Sequence, residues 1–301
     1  MIKSITITNN LNESITVELA NPYESGFAIT SIDGLGPVEA NINTTEIVTR
    51  DGSLYSSARA ENRNIVFEIK LLPAPTIEET RQRTYRYFPL KKRVEILIST
   101  DTRDVYTVGY VEKNEPKIFS ESEETQISIV CPDSYLKSVE TESNTIGGIN
   151  PEFEFPFSKE VDDETQIEFG DITISDELLL YYPGDADTGF LMNIHALGPF
   201  GNLILYDLTT REEMIIRVDL IRYYLGFEIQ QGDDIYISTV RGDKYIMFVR
   251  DGLTYNIMSC IDLDSDWFSF VKGYNRLGFR AESGYENVQF NITNNILYEG
   301  I

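Results

Sequence analysis

Residues 33 to 71 constrain the fold most, because their character changes partway along. Residues 33 to 62 are polar and turn-rich, with Gly34, Gly36, Pro37 and the Asp51-Gly52 pair set among Asn, Ser and Thr. Residues 64 to 71 then alternate: Ile65, Phe67, Ile69 and Leu71 fall on one side, and Asn64, Val66, Glu68 and Lys70 on the other. That period of two marks a half-buried strand. The polar stretch before it predicts a long ordered loop feeding a sheet. Loops of that length inside a compact domain are uncommon and are usually functional or disordered. The chain has no obvious catalytic cluster, so such a loop points to protein–protein assembly.

The rest of the first half reads as strands with one helix. Ile5 and Ile7, then Ile15, Val17 and Leu19, alternate with polar residues and predict a hairpin around Asn9-Asn10. Thr76 and Glu79 have capping-box spacing and predict a helix from there to Phe88, stopped by Pro89. Its acids stand at the start (Glu78, Glu79) and its bases towards the end (Arg81, Arg83, Arg86), matching the helix dipole. Strands are expected at 93–99, 105–112 and 125–131.

A chain of 301 residues suits two domains of about 150 residues each. The polar run SVETESNTIGGINP, with Gly147-Gly148 and Pro151, reads as the linker. The expected division is therefore 1-138, a linker at 139-150, and 151-301. The second half predicts only short strands: 152–157, 166–174, 178–182, 189–196, 202–207, 213–219, 225–230, 234–240, 244–250, 253–259, 267–271, 276–281 and 287–293. Asp251-Gly252 between KYIMFVR and LTYNIM is its clearest hairpin signal, because both turn residues must accept positive φ. Abundant Tyr and Phe (18 and 16 residues) favour strands. The pattern predicts a mainly β chain whose second half is a β-sandwich or jelly roll.

The net charge is −24, with most of the excess acid after residue 140. Such a surface repels nucleic-acid phosphate and anionic lipid. Two cysteines, Cys131 and Cys260, do not make a disulfide framework. The start MIKSITITNN does not read as a signal peptide, no apolar run is long enough for a membrane span, and a reducing cytoplasm is expected as the place of synthesis.

The chemistry-bearing constellations are sparse. His195 is the only histidine, so neither a usual zinc site nor a histidine triad is expected. Asp262, Asp264 and Asp266 resemble the start of a calcium loop, but Trp267 and Gly273 replace the Gly and Glu an EF-hand requires. Acidic pairs such as Asp162-Asp163, Asp185/Asp187 and Asp233-Asp234 could serve a glycosidase only at the right separation across a cleft. The basic-aromatic run from Arg81 to Arg93 reads as a helix end or subunit contact. Trp267, Phe268 and Phe270 read as core, with a sugar-stacking platform as the alternative. Catalytic residues, cofactors and metals are expected to be none.

Three blocks carry a family likeness: GLGPVEANINTTEIVTRDGSLYSSARAENRNIVFEIKL, then YFPLKKRVEILI from Tyr87 to Ile98, then SGYENVQFNITNNILYEGI from Ser283 to Ile301. Together they resemble the distal tail proteins (Dit) of long-tailed, non-contractile bacteriophages. The resemblance implies an N-terminal tail-tube-like β-barrel with one helix and a C-terminal galectin-like β-sandwich. It implies a virion structural protein, assembled in the host cytoplasm, that is not an enzyme. Six copies would form a ring, a homo-hexamer joining the tail tube protein to the tip protein and to receptor-binding or baseplate proteins. DNA would leave through the lumen without specific binding. The polar stretch would reach neighbouring subunits, making Gly36, Asn43, Thr45, Arg50, Asp51, Tyr55 and Arg59 the candidate inter-subunit residues. The alternative function is a carbohydrate-binding module that adheres to cell walls.

Overall fold

The computed structural model describes residues 1–47, 51–118, 122–146, 149–150, 171–172 and 177–301. The expected strand at 152–157, most of that at 166–174, and the Asp162-Asp163 pair lie outside these. The chain divides into two compact units. One comprises Met1–Glu140 together with Leu297–Ile301, and the other Thr141–Ile296.

The first unit runs β1 (Ile2–Thr8), β2 (Ser14–Glu18), α1 (Pro22–Ser25), β3 (Phe27–Asp33), β4 (Ala40–Glu46), β5 (Ser53–Ala60), β6 (Arg63–Leu71), α2 (Ile77–Tyr87), β7 (Arg93–Thr100), β8 (Asp104–Lys117), β9 (Glu124–Cys131) and the start of β10 (Leu136–Ile146). Strands β2-β1-β7-β8-β9-β6-β3 form one antiparallel sheet in that order. Its inner residues alternate as the sequence requires: Ile5 and Ile7, Val94, Ile96 and Ile98, Ile65, Phe67 and Ile69 are all buried. Helix α2 sets Thr80 and Thr84 inward, and Phe88 at its end meets Phe67 with ring centroids 6.3 Å apart. Its first turn is capped as predicted, the Thr76 hydroxyl accepting from the Glu79 amide.

Three expectations for this half are corrected. The sheet does not close into a barrel. Among the described residues its end strands β2 and β3 share no ladder, and the short helix α1 packs between them instead. The predicted long loop is largely a hairpin, β4–β5. Residues 139–146 of the expected 139-150 linker continue strand β10 (Leu136–Ile146).

The second unit contains the two-residue strands β11 (Ile149–Asn150) and β12 (Asp171–Ile172), then β13 (Glu177–Tyr182), β14 (Leu191–Ala196), β15 (Leu203–Asp207), β16 (Glu212–Ile216), α3 (Val218–Leu225), β17 (Asp234–Ser238), β18 (Tyr245–Arg250), β19 (Leu253–Asn256), β20 (Gly273–Ala281) and β21 (Val288–Tyr298), whose last two residues belong to the first unit. Strands β19-β18-β17-β14-β21 lie side by side, and β13-β20-β15-β16 form a second antiparallel sheet. One core joins them, with Met192, Ile194, Ile235, Phe248 and Phe290 from the first set and Leu180, Leu203, Leu205, Leu277 and Phe279 from the second. Phe279 and Phe290 bring their ring centroids to 4.4 Å. The β18–β19 turn takes φ of 50° at Asp251 and 77° at Gly252, as its sequence predicts.

Here too expectations fail. Residues 218–225 form helix α3, ending the strand expected at 213–219 early and filling the gap before the one expected at 225–230; it buries Val218 and Ile221 and ends at Gly226 in the left-handed region (φ 74°). No strand forms at 225–230. At 267–271 only an isolated bridge from Phe270 to Thr188 is made.

Candidate functional site

The β4–β5 hairpin pairs Ala40–Glu46 with Ser53–Ala60, and the residues of both strands are exposed apart from half-buried Ala60. Cross-strand partners run Asn41↔Arg59, Ile42↔Ala58 and Asn43↔Ser57, then shift to Thr44↔Tyr55 and Thr45↔Leu54. The shift leaves Ser56 without an opposite residue, which is a β-bulge. A one-residue insertion reverses the facing of everything beyond it. The bulge therefore moves Tyr55 onto the side that carries Ala40, Ile42 and Ala58. That side is mostly apolar, with Ile42 59% and Tyr55 67% exposed. The opposite side carries Asn41, Asn43, Thr45, Ser57 and Arg59, with Leu54 as its one large apolar residue. Asn43 donates to the Ser57 hydroxyl there at 3.1 Å.

A two-stranded hairpin is marginal in water without a third strand or a packed face. This one is held at its foot by Arg63, the first residue of β6. The alternation that buries Ile65 and Phe67 also turns Arg63 inward, and its side chain is fully buried. Its guanidinium donates to the carbonyls of Gly34, Gly36 (2.8 Å), Ser134 (2.9 and 3.2 Å) and Glu299 (2.7 Å). Burial lowers the Arg63 pKa, partly opposed by the nearby Cys131 and Asp133. Ile301 adds a backbone bond to Leu35 at 3.2 Å. The segment leading into β4, the turn after β9 and the last residues of the chain thus meet on one side chain. An open groove beside them is lined by Val38, Ala58, Arg59, Tyr135 and Glu299.

The sequence-derived residues fall around this hairpin. Gly36 stands at its foot with its carbonyl bound by Arg63. Asn43, Thr45 and Arg59 share the polar side, Tyr55 lies on the apolar side, and Asp51 follows the tip. Arg50 lies outside the described residues. Sequence reasoning passed over Ile42, whose apolar side chain in a polar run was the available signal, and Arg63.

The other constellations resolve as structure. His195 Nδ1 lies 2.9 Å from Asp234, half exposed on a strand. Asp233 is buried against Arg250 and accepts the Gln230 amide at 2.8 Å. Among the basic run, Arg86 pairs with Glu13, Arg81 with Glu78 and Arg93 with Glu95. Phe268 and Phe270 are core residues around Phe190, so that run is no exposed platform. Both thiols are buried, and burial raises their pKa values. Among the described residues no cluster of three or more potential ligands could hold a metal. No helix among them is long and apolar enough to cross a membrane.

The chain superposes on the crystal structure of the Dit protein (gp 19.1) of phage SPP1 with a TM-score of 0.66, over 97% of this chain and 98% of that one, at 9% identity. The chain has the fold of a phage hub protein. That SPP1 protein is described as a paradigm of the hub adsorption apparatus in phages infecting Gram-positive bacteria. Chains of the phage P2 baseplate in its activated conformation also match. The form with Ca gives a TM-score of 0.47 at 12% identity, over 97% of this chain and 98% of that one. The form with Sr gives 0.44 at 11%, over 96% and 97%. No family model and no curated sequence matches.

Proposed function

We propose that this chain is a phage distal tail protein, a structural component of the virion tail and not an enzyme. Six copies form a ring that joins the tail tube to the tip or baseplate. The observation that carries the reading is the whole-chain likeness to the SPP1 hub protein, spanning both compact units. The first unit acts as a tail-tube-like ring domain, its open sheet completed by neighbours. The second, two sheets on one core, is a galectin-like sandwich that carries other baseplate proteins.

The β4–β5 hairpin supplies the contact between copies. Burying Ile42 and Tyr55 against a neighbour contributes about 1.5–3 kcal/mol per side chain. Gly36, Asn43, Thr45, Arg50, Asp51, Tyr55 and Arg59 line that contact. The ring leaves a channel through which DNA passes without specific binding.

Co-expression with its tail neighbours followed by light scattering tests this. A mass of six copies, alone or on the neighbour, is expected. A chain that remains monomeric in both settings refutes it.

A further inference from the structure

Helix α3 buries Val218 and Ile221 and leaves Tyr223 and Tyr224 in solvent. Their rings meet edge to face with centroids 5.1 Å apart, and they are 78% and 57% exposed. One turn back from Tyr223, on the same side of the helix, stands Asp219. Arg217 donates to both Asp219 oxygens, at 3.0 and 2.9 Å, and lies 3.7 Å from Asp262. That side chain ties the helix to the turn from Asp262 to Ser265, at whose tip Leu263 is fully exposed. The turn is stitched to β16. The Asp262 amide donates to the Ile215 carbonyl at 3.0 Å, the Ser265 hydroxyl accepts the Ile215 amide at 2.9 Å, and the Asp266 amide donates to the Glu213 carbonyl at 2.7 Å. Asp262 also accepts the Asp264 and Ser265 amides at 3.2 Å. A lone exposed leucine signifies nothing. This one is held in place beside two exposed tyrosines, so little freedom is lost when a partner covers it.

The surroundings are acidic. Asp219, Asp262, Asp264, Asp266 and Glu213 stand against two bases, Arg217 and Lys244, the latter 5.2 Å over the Trp267 ring. Five acids less two bases leave three negative charges, and the Arg222–Glu228 pair balances itself at 2.8 Å. Among the described residues no three carboxylates converge on a metal site. Charge spread this way suits several separate cations on one partner rather than a single ion. Nucleic-acid phosphate and anionic lipid are repelled. Apolar anchors, tyrosine among them, inside a charged rim are the anatomy of a protein interface.

We propose that this surface docks a basic tail protein, whose apolar recesses take Leu263, Tyr223 and Tyr224 and whose Lys and Arg side chains meet Asp264, Asp266 and Glu213. The inference rests on the reading that the second unit carries other baseplate proteins, and it names the surface and the chemistry of the partner.

The test is photo-crosslinking on the full chain, co-expressed with the other proteins of its tail and carrying p-benzoylphenylalanine in place of Leu263 or Tyr223. Both positions should cross-link to the same tail protein, and peptide mapping should place the links in a segment where Lys and Arg outnumber Asp and Glu. Leu263→Ser should weaken binding of that protein by about tenfold. Asp264→Lys combined with Asp266→Lys should weaken it at least as much, because like charges then face each other. Leu11→Ser, an exposed leucine of the first unit, should leave it unchanged. Raising salt from about 0.05 to 0.5 M should weaken binding of the natural chain, a readout that needs no variant to fold. Links only to another copy of this chain, links to a segment without excess base, or binding indifferent to salt overturn the proposal. If a tail protein binds the natural chain and neither position cross-links, this surface is wrong and the carrying role stands. If no tail protein binds the natural chain, the carrying role fails and this surface with it.

Discussion

Arg63 donates a 2.7 Å hydrogen bond to the carbonyl oxygen of Glu299, 236 residues further along the chain. The same guanidinium holds Gly34, Gly36 and Ser134, so one buried cation, satisfied by carbonyls, fixes the foot of the exposed hairpin. Removing it takes their shared donor from four carbonyl oxygens. Arg63→Met should lower unfolding stability by about 1–3 kcal/mol in urea titration. Arg63→Lys should recover little, since a single ammonium cannot reproduce the planar fork.

Gly34 has φ 85°, and a Cβ there would lie 1.9 Å from the Asn64 carbonyl oxygen. Backbone would have to move. Gly34→Ala should cost more than the ~1–2 kcal/mol of left-handed strain alone, read as a drop in melting temperature. A Gly52→Ala control meets no atom within 4 Å at φ 88° and should cost only the strain.

Glu13 accepts from Arg86 and Asn9, and these bonds, led by Arg86, lower its pKa from 4.5 to about 2. In this region the unfolded chain binds the extra proton, so the bond's contribution is full above about 4.5 and lost as pH falls through about 2. The melting-temperature difference between the natural protein and Glu13→Gln should be constant near neutral pH and close across that window. The pair is exposed, so added salt should shrink the difference.

The Thr76 hydroxyl caps α2 through the Glu79 amide at 3.2 Å. Thr76→Ala should cost about 1 kcal/mol, measured by denaturant midpoint, while Thr76→Ser should restore most of it.

The strands of the first unit were legible because Ile65, Phe67 and Ile69, or Val94, Ile96 and Ile98, each need one dry face, and alternation states which. The α2 cap was legible because Thr76 and Glu79 act locally. The β4–β5 hairpin was not, since its residues are almost all exposed and no dry face imposes a period on ANINTTE. Helix α3 was missed because Val218, Ile221 and Leu225 are too few turns to stand out among β-formers, and packing overrode propensity. Arg63 followed the inward phase of its own strand, but only the structure shows the carbonyls that accept it. The outline of the candidate site was visible as a turn-rich stretch, whereas its apolar side depended on a bulge at Ser56.

The central claim is that copies of this chain join through the β4–β5 hairpin. Ile42→Ser with Tyr55→Ser alters only exposed side chains, so folding stability should stay within about 0.5 kcal/mol for each change. Electron microscopy of the purified protein with its tail neighbours is the direct measurement. The natural chain should give six-fold rings with an open centre, and the double variant, equally folded, should give single copies. Rings that persist in the variant, or their absence from the natural chain, would contradict the account.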